Sequence, residues 1–271
     1  MGLKVKDIHR ILENYAPSKL KESYDNVGLM VGDMEEEISS ILVALDCTLS
    51  VIEEAKEKGC NLIFTHHPLF FRKPACITTD TLIGKKVINL IKNDINLYSS
   101  HTNLDSAEGG FNDIITEILG YKYFEIIEPN LHLGSCSQKA GIGRLVTLDK
   151  TTSLEDLCDK VKKALEISSL RYAGDDSMVI KKVAIINGSG EDFFSTCRKM
   201  GADCIITGDT TYHYVSDFKE ENISIIDAGH FGTEWPALKG FMHILKNEIE
   251  NMGYHNKIML SESNKDPYKF K

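Results

Sequence analysis

The sequence predicts an α/β fold of two similar α/β/α lobes with mainly parallel sheets. Three observations lead there. Residues 38–65 (ISSILVALDCTLSVIEEAKEKGCNLIFT) align without a gap on residues 180–207 (IKKVAIINGSGEDFFSTCRKMGADCIIT). Each copy reads as strand, helix, strand. Each is then followed by a further strand that runs into a cluster of histidines and carboxylates. A period of this kind marks a repeated supersecondary unit.

Within the repeat, Ile38, Gly59, Ile63 and Thr65 meet Ile180, Gly201, Ile205 and Thr207, and apolar positions match between them: Ile41 with Val183, Val43 with Ile185, Ala55 with Cys197. The runs Ile41–Leu45 and Val183–Ile186 are β-branched and too short for helices, which suits buried strands. Val51, Ile52 and Ala55 then give one apolar helix face. Gly59 and Gly201 supply C′ positions where a left-handed turn meets no Cβ. Leu62–Phe64 and Cys204–Ile206 complete two β-α-β units, whose strands should be parallel. Further strands are expected at Ile95–Ser99 and Ile223–Ile226. The amphipathic stretch MGLKVKDIHRILENY opens the chain as a helix, ahead of the turn Tyr24-Asp25-Asn26-Val27-Gly28. Residues 129–179 bridge the lobes with a strand (Arg144–Leu148) and a helix capped by Ser153, with Glu155 and Asp156 in its first turn. Thr233 is expected to cap a final helix with Pro236 in its first turn. A short strand is expected after Asn251. The lobes are drawn at 1–128 and 129–271, the final helix being a segment that can pack back on the first lobe.

Composition limits the functions. At 271 residues and 42% hydrophobic, with 26% charged residues and six prolines, the chain can bury one large or two modest cores. A net charge of −9 without a basic block argues against nucleic acid as a partner. Seven cysteines with no C-x-x-C pair favour a reducing compartment over a disulfide framework or a thiolate zinc site. No segment approaches a signal peptide or a membrane span, so the cytoplasm is the expected location.

Parallel sheets gather ligands at the carboxyl ends of their strands. At those ends stand Thr65-His66-His67-Pro68 and Thr207-Gly208-Asp209, with His213 soon after. The later strands lead into His101…Asp105 and His230…Glu234, each a histidine followed four residues on by a carboxylate. Imidazole and carboxylate are ligands of first-row divalent metals, Zn, Mn, Fe, Co or Ni. His66, His67, Asp105, His230 and Glu234 offer too many donors for one open catalytic ion and fit two. The two lobes are therefore expected to face each other across a metal-binding cleft. His9, His132, His243 and His255 lack such a setting and read as surface or helix residues, while Phe70, Phe71 and Trp235 read as core. Asn187-Gly188-Ser189-Gly190, between strand and helix, reads either as a phosphate-binding turn or as a tight turn that needs glycine.

Taken together, YDNVGLMVGD (24–33), FTHHPLFF (64–71), SSHTNLDSAEGGFND (99–113), NGSGED (187–192), GADCIITGDTTYH (201–213) and IIDAGHFGTE (225–234) resemble the YbgI-type dinuclear metal-centre family, often labelled GTP cyclohydrolase I type 2 homologues. The resemblance implies that His66, His67, Asp105, His230 and Glu234 are the ligands of two metal ions, with Glu234 as bridge. It places His101, Asp209 and His213 near the site as substrate or supporting groups, His101 and His213 being the candidates for proton transfer. It also implies a homo-oligomer, a hexamer built from dimers. The function expected is metal-dependent hydrolysis of a nucleotide, with GTP favoured and attack at an electrophilic carbon such as purine C8. In that scheme Asn187–Gly190 and Asp209 contact the substrate. The rival expectation is a non-catalytic metal store or regulatory scaffold.

Overall fold

A computed structural model describes residues 2–130 and 139–271, so His132 and Cys136 lie outside the described residues. The chain divides into two compact units, one of residues 1–104 with 238–265, the other of 105–237 with 266–271.

The first unit is built on a five-stranded sheet. Strands β1 (Gly28–Val31), β2 (Ser40–Ala44), β3 (Leu62–Thr65), β4 (Asn96–Ser99) and β11 (Lys257–Leu260) lie in the order β1-β4-β3-β2-β11. All pairings are parallel except β1 with β4. Leu42, Ala44, Ile63 and Leu97 pack on α2 (Leu49–Glu57) and on Leu90 of α3 (Leu82–Lys92). Phe64 alternates to the other face, as strand geometry requires. There its ring lies 5.8 Å from that of Phe241, which lies 5.5 Å from Tyr15 of the first helix, α1 (Val5–Tyr15). His9 of α1 bonds the Tyr98 hydroxyl at 2.9 Å.

The second unit carries six strands in the order β5-β6-β8-β9-β10-β7: β5 (Glu125–Pro129), β6 (Gly141–Ser153), β7 (Arg171–Ala173), β8 (Val179–Ser189), β9 (Cys204–Gly208) and β10 (Ser224–Asp227). Here the expectation of a mainly parallel sheet needs correction. Only β8–β9 and β9–β10 are parallel; β5–β6, β6–β8 and β10–β7 are antiparallel. The segment read as a bridge supplies β6 and β7 as full sheet members. One face buries Ile115 and Leu119 against Leu154, Leu157 and Val161, while the other buries Phe194, Cys197 and Phe218. After the short helix α4 (Thr102–Ser106), Ile115 comes from α5 (Phe111–Ile118), which Leu119 follows directly, and the others from α6 (Leu154–Leu165) on one side and from α7 (Phe194–Lys199) and α8 (Tyr212–Glu220) on the other. Residues 105–128, grouped with the first lobe in the sequence reading, thus pack with the second unit.

The repeat is realised closely. Helix α2 maps onto residues 191–199, which form a 3-10 turn (Glu191–Phe193) and then α7. Both helices close on a left-handed glycine, Gly59 (φ 68°) and Gly201 (φ 78°), and the next amide bonds back five residues, Cys60 to Ala55 and Ala202 to Cys197. Ser153 caps α6, its hydroxyl accepting the Asp156 amide at 3.1 Å. Arg144 is fully buried and pairs with Asp113. Of the six described cysteines, all free thiols, five are buried, and burial pushes those of Cys47 and Cys197 up to about 12.

Two local expectations fail. Helix α9 (His230–Asn251) starts four residues earlier than a Pro236 first turn would place it. The Gly229 amide donates to Asp227 Oδ1 and the Thr233 amide to the Gly229 carbonyl, so the first turn closes there and Pro236 sits inside the helix. Phe71, read as core, is 54% exposed, its ring edge-on to His101.

Candidate metal centre

In the first unit, His66 and His67 follow β3 directly. Their amides extend the sheet ladder to the carbonyls of Ala44 and Leu45, so alternate side chains leave opposite faces only until Pro68 ends the strand. His101 follows β4, its amide held by Asn103 Oδ1 at 2.9 Å. The three rings gather, with centroids 5.0–5.6 Å apart. One ligand atom from each lies within 4.8 Å of the others.

Each ring is fixed through Nδ1. His66 meets the Ser100 carbonyl at 3.0 Å, His67 the Asp46 carboxylate at 3.0 Å, and His101 the Asp25 carboxylate at 2.9 Å. A carbonyl or an ionised carboxylate only accepts, so Nδ1 carries the hydrogen. With the hydrogen on Nδ1, a ring in its neutral form carries its lone pair on Nε2, the arrangement found behind metal-bound histidines. Asp25 is itself buried and accepts from the Thr102 amide at 3.0 Å and from the Thr102 hydroxyl. Burial alone would raise its carboxyl. The bonds and charge from His101 and the bonds from Thr102 outweigh burial and hold it well below the usual carboxylate range.

In the second unit, His230 and Glu234 lie one turn apart at the start of α9, with Nε2 3.1 Å from Oε1. His230 Nδ1 is held by Asp209 Oδ2 at 2.9 Å. Asp209 has a left-handed backbone (φ 54°), and the turn it forms is tied down by Asp227, which accepts the Thr210 amide at 3.1 Å. Glu234 is 3% exposed and lies against the end of β8. A Cβ on Gly188 (φ 61°) would fall 2.4 Å from Glu234 Oε1, so only glycine fits there. Asp105, 8% exposed, is clamped: Asn187 donates to Oδ1 at 2.9 Å and Asn112 to its carbonyl at 3.1 Å.

The Asn187–Gly190 turn is not an open row of amides. Strand β8 runs through Ser189, the Asn187 amide bonds Asn112 Oδ1 at 3.2 Å, and the Gly188 amide bonds the Thr233 hydroxyl at 2.9 Å. Asn187 instead braces Asp105, and Gly188 makes room for Glu234. Gly190 accepts the Phe193 amide at 3.0 Å through its carbonyl and so opens the 3-10 turn. His213 stands exposed in the first turn of α8, edge-on to Tyr212, and belongs to neither group. Sequence reading missed Asp25, Asp46 and Asn112 as supporting groups. The YDNVG turn was the visible signal for Asp25 and the SSHTNLDSAEGGFND stretch for Asn112; Asp46 carried none.

Fold and side chains together define an α/β protein whose histidine and glutamate groups have the donor set to hold a metal ion. The chain belongs to the Duf34/NIF3 (NGG1p interacting factor 3) family, whose model matches residues 3–267. It is 54% identical to the GTP cyclohydrolase 1 type 2 homolog of Clostridium acetobutylicum, over all of both chains. Among solved structures it is similar to Staphylococcus aureus hypothetical protein SA1388 (TM-score 0.91, 31% identity, 100% of each chain). The Bacillus cereus protein related to NIF3 shares its fold (TM-score 0.92, 23% identity, 100% of each chain). Among the described residues no helix is long and apolar enough to cross a membrane.

Proposed function

We propose that His66, His67, Asp105, His230 and Glu234 hold two divalent metal ions, Glu234 bridging them, and that the protein hydrolyses a nucleotide-like substrate. The observation that carries this reading is the shared preparation of its histidines. His66, His67 and His230 each have Nδ1 committed to a carbonyl or carboxylate, which turns Nε2 into the donor. His230 Nε2 and Glu234 Oε1 lie 3.1 Å apart, so both donor atoms are within reach of one ion. Two adjacent divalent ions supply Lewis-acid polarisation of the substrate and a water acidic enough to react near neutral pH. The protein's own part is orientation: Ser100, Asp46 and Asp209 set the rings, Asn187 and Asn112 set Asp105, and Gly188 admits the Glu234 carboxylate.

The nucleotide rests on the printed name of the relatives, GTP cyclohydrolase 1 type 2 homolog. We retain neither His101 nor His213 as a proton shuttle, since His213 lies exposed on α8 and His101 stands among the imidazoles of the first unit. That loss favours the rival reading, a metal store or regulatory scaffold. A cytoplasmic homo-oligomer, a hexamer of dimers, belongs to the same proposal, and exposed Tyr123, Tyr172 and Tyr212 offer apolar area for assembly.

The test is elemental analysis of the untagged protein, followed by a metal-dependent turnover screen over GTP, other nucleotides, phosphoesters and amides. About two ions per chain with turnover lost in Glu234→Ala supports the hydrolase. Two ions without turnover of any substrate supports the scaffold. No metal after reconstitution with Zn, Mn and Fe removes both.

A further inference from the structure

We propose that the groove between strand β7 and helix α8 of the second unit binds a small aromatic anion, a carboxylate or phosphate carried on a single ring. Lys219 and Arg171 supply the positive charge, and the ring lies against Tyr212. None of the residues that line the groove is a ligand in the metal reading, and the proposal does not depend on that reading.

The groove follows from the sequence at its edges. Strand β7 is the last of its sheet and bonds β10 alone, with Ala173 opposite Ile225 and Arg171 opposite Asp227. These four side chains leave one face, the face on which Ile225 packs with Phe218 of α8. Helix α8 lines the groove with Tyr212, Val215, Ser216 and Lys219, a single helical face at i, i+3, i+4 and i+7. Ala173 and Ser216 are small and leave the space between strand and helix unfilled. A cavity of about 350 Å³ results. Protein interiors pack densely, so a space of this size is not ordinary packing. It lies in the lower part of the range for small-molecule sites and has room for one ring with its charged group.

The lining is cationic, although the chain carries −9. Its one carboxylate, Asp227, is 5% exposed and already meets Arg171, the Thr210 amide and hydroxyl, and the Gly229 amide. Arg171 commits only Nη2, to that carboxylate and to the Thr210 carbonyl; its Nε and Nη1 bond nothing among the described residues. Lys219 has no ion-pair partner among the described residues. The acids nearby are occupied: Glu191 accepts from Thr211, and Asp176 accepts the Tyr172 hydroxyl at 2.8 Å. Two cations with donors to spare therefore remain for a ligand anion. Tyr212 is 80% exposed and offers a face for stacking, above a floor of Ala173, Val215 and Ile225.

The experiment is calorimetric titration of phenyl phosphate and benzoate, with benzyl alcohol as the neutral control. The untagged protein as purified is compared with Lys219→Ala, Tyr212→Ala and Glu234→Ala, with elemental analysis and light scattering on each. One of the two anions should bind, and benzyl alcohol about tenfold more weakly or less. Lys219→Ala should weaken the anion about 10–100-fold and Tyr212→Ala about 3–10-fold, with metal content and oligomeric state unchanged. Glu234→Ala should bind it as wild type does. Binding lost in Glu234→Ala but kept in Lys219→Ala puts the probe on the metal centre and overturns the proposal. Affinity unchanged in both Lys219→Ala and Tyr212→Ala overturns it too, as does a wild type that binds neither anion. A Tyr212→Ala protein that changes oligomeric state, with no anion bound by wild type, gives the groove to assembly instead.

Discussion

The two β-α-β repeats share a backbone but spend their strand ends differently. Counting along the alignment, His66 and His67 of the first correspond to Gly208 and Asp209 of the second, and Asp46 corresponds to Gly188. In the first repeat the residues after the strand are the imidazoles, and an aspartate behind them orients one. In the second, the aspartate has moved to the strand end, where it orients His230, and the imidazole sits on a helix. Gly208 makes this exchange necessary: a Cβ there would lie 2.6 Å from the Gly229 carbonyl carbon and the His230 amide, so the chain carrying His230 passes where the first repeat places a ring. The same imidazole–carboxylate pair is thus built twice, with ligand and support exchanged between the elements.

The units also differ in how they bury charge, and the largest expected effect tests that. Arg144→Met leaves Asp113 buried without its cation and should cost about 3–5 kcal/mol in denaturant unfolding. In the first unit the buried carboxylate of Glu54 is, like that of Asp25, held without a buried arginine: it meets the Ser261 hydroxyl, the amides of Glu262 and Ser263, and Lys58. Burial raises its carboxyl, but those bonds prevail and lower it to about 2. A depressed carboxyl stabilises the fold above its unfolded value near 4.5, and this is lost as pH falls toward 2. The contribution is roughly 3 kcal/mol. Glu54→Gln should therefore flatten the acid limb of stability measured between about pH 5 and 2, where wild type falls steeply.

Two glycines sharpen the comparison of the repeats. Gly59→Ala meets no atom within 4 Å and should cost only the left-handed backbone term, about 1–2 kcal/mol. Gly188→Ala carries that term and also drives into Glu234, so it should lose metal as well as melting temperature. Equal metal content in both variants would show that Glu234 is not a ligand. A smaller effect is expected from Asn187→Ala, which loosens Asp105 and should lower metal affinity about 10–100-fold at little cost in unfolding. The smallest is His213→Ala, exposed and outside both groups, with a stability change within about 0.5 kcal/mol and unaltered metal content.

The repeat was legible because its signals are local: β-branched runs, a left-handed glycine, and a threonine before each polar edge. The antiparallel half of the second sheet was not, because β6 and β8 alternate too loosely outside Arg144–Leu148 and Val183–Ile186 for a pairing direction to be read. Nor did the sequence show which sheet α5 covers, since its apolar face would fit either. The start of α9 was misread because Pro236 gave the stronger local rule, which Asp227 overrides through the Gly229 amide. The equal spacing of His101 to Asp105 and of His230 to Glu234 was legible for the same reason as the repeat, since each pair follows closely on a strand.

The strand β11 places the last part of the chain beside β2, parallel and in register from Lys257↔Ser40 to Leu260↔Val43. Glu54 finds its partners more than two hundred residues away, at Ser261, Glu262 and Ser263. On a ribosome, then, the usual order of maturation is inverted. The stretch 105–237 emerges with nearly all of its unit in hand, while the earlier-made strands wait with one sheet edge bare and a carboxylate to be buried. Nascent chains stalled before residue 257 should offer that edge to chaperones, and the first unit should become resistant to protease only when the chain is released.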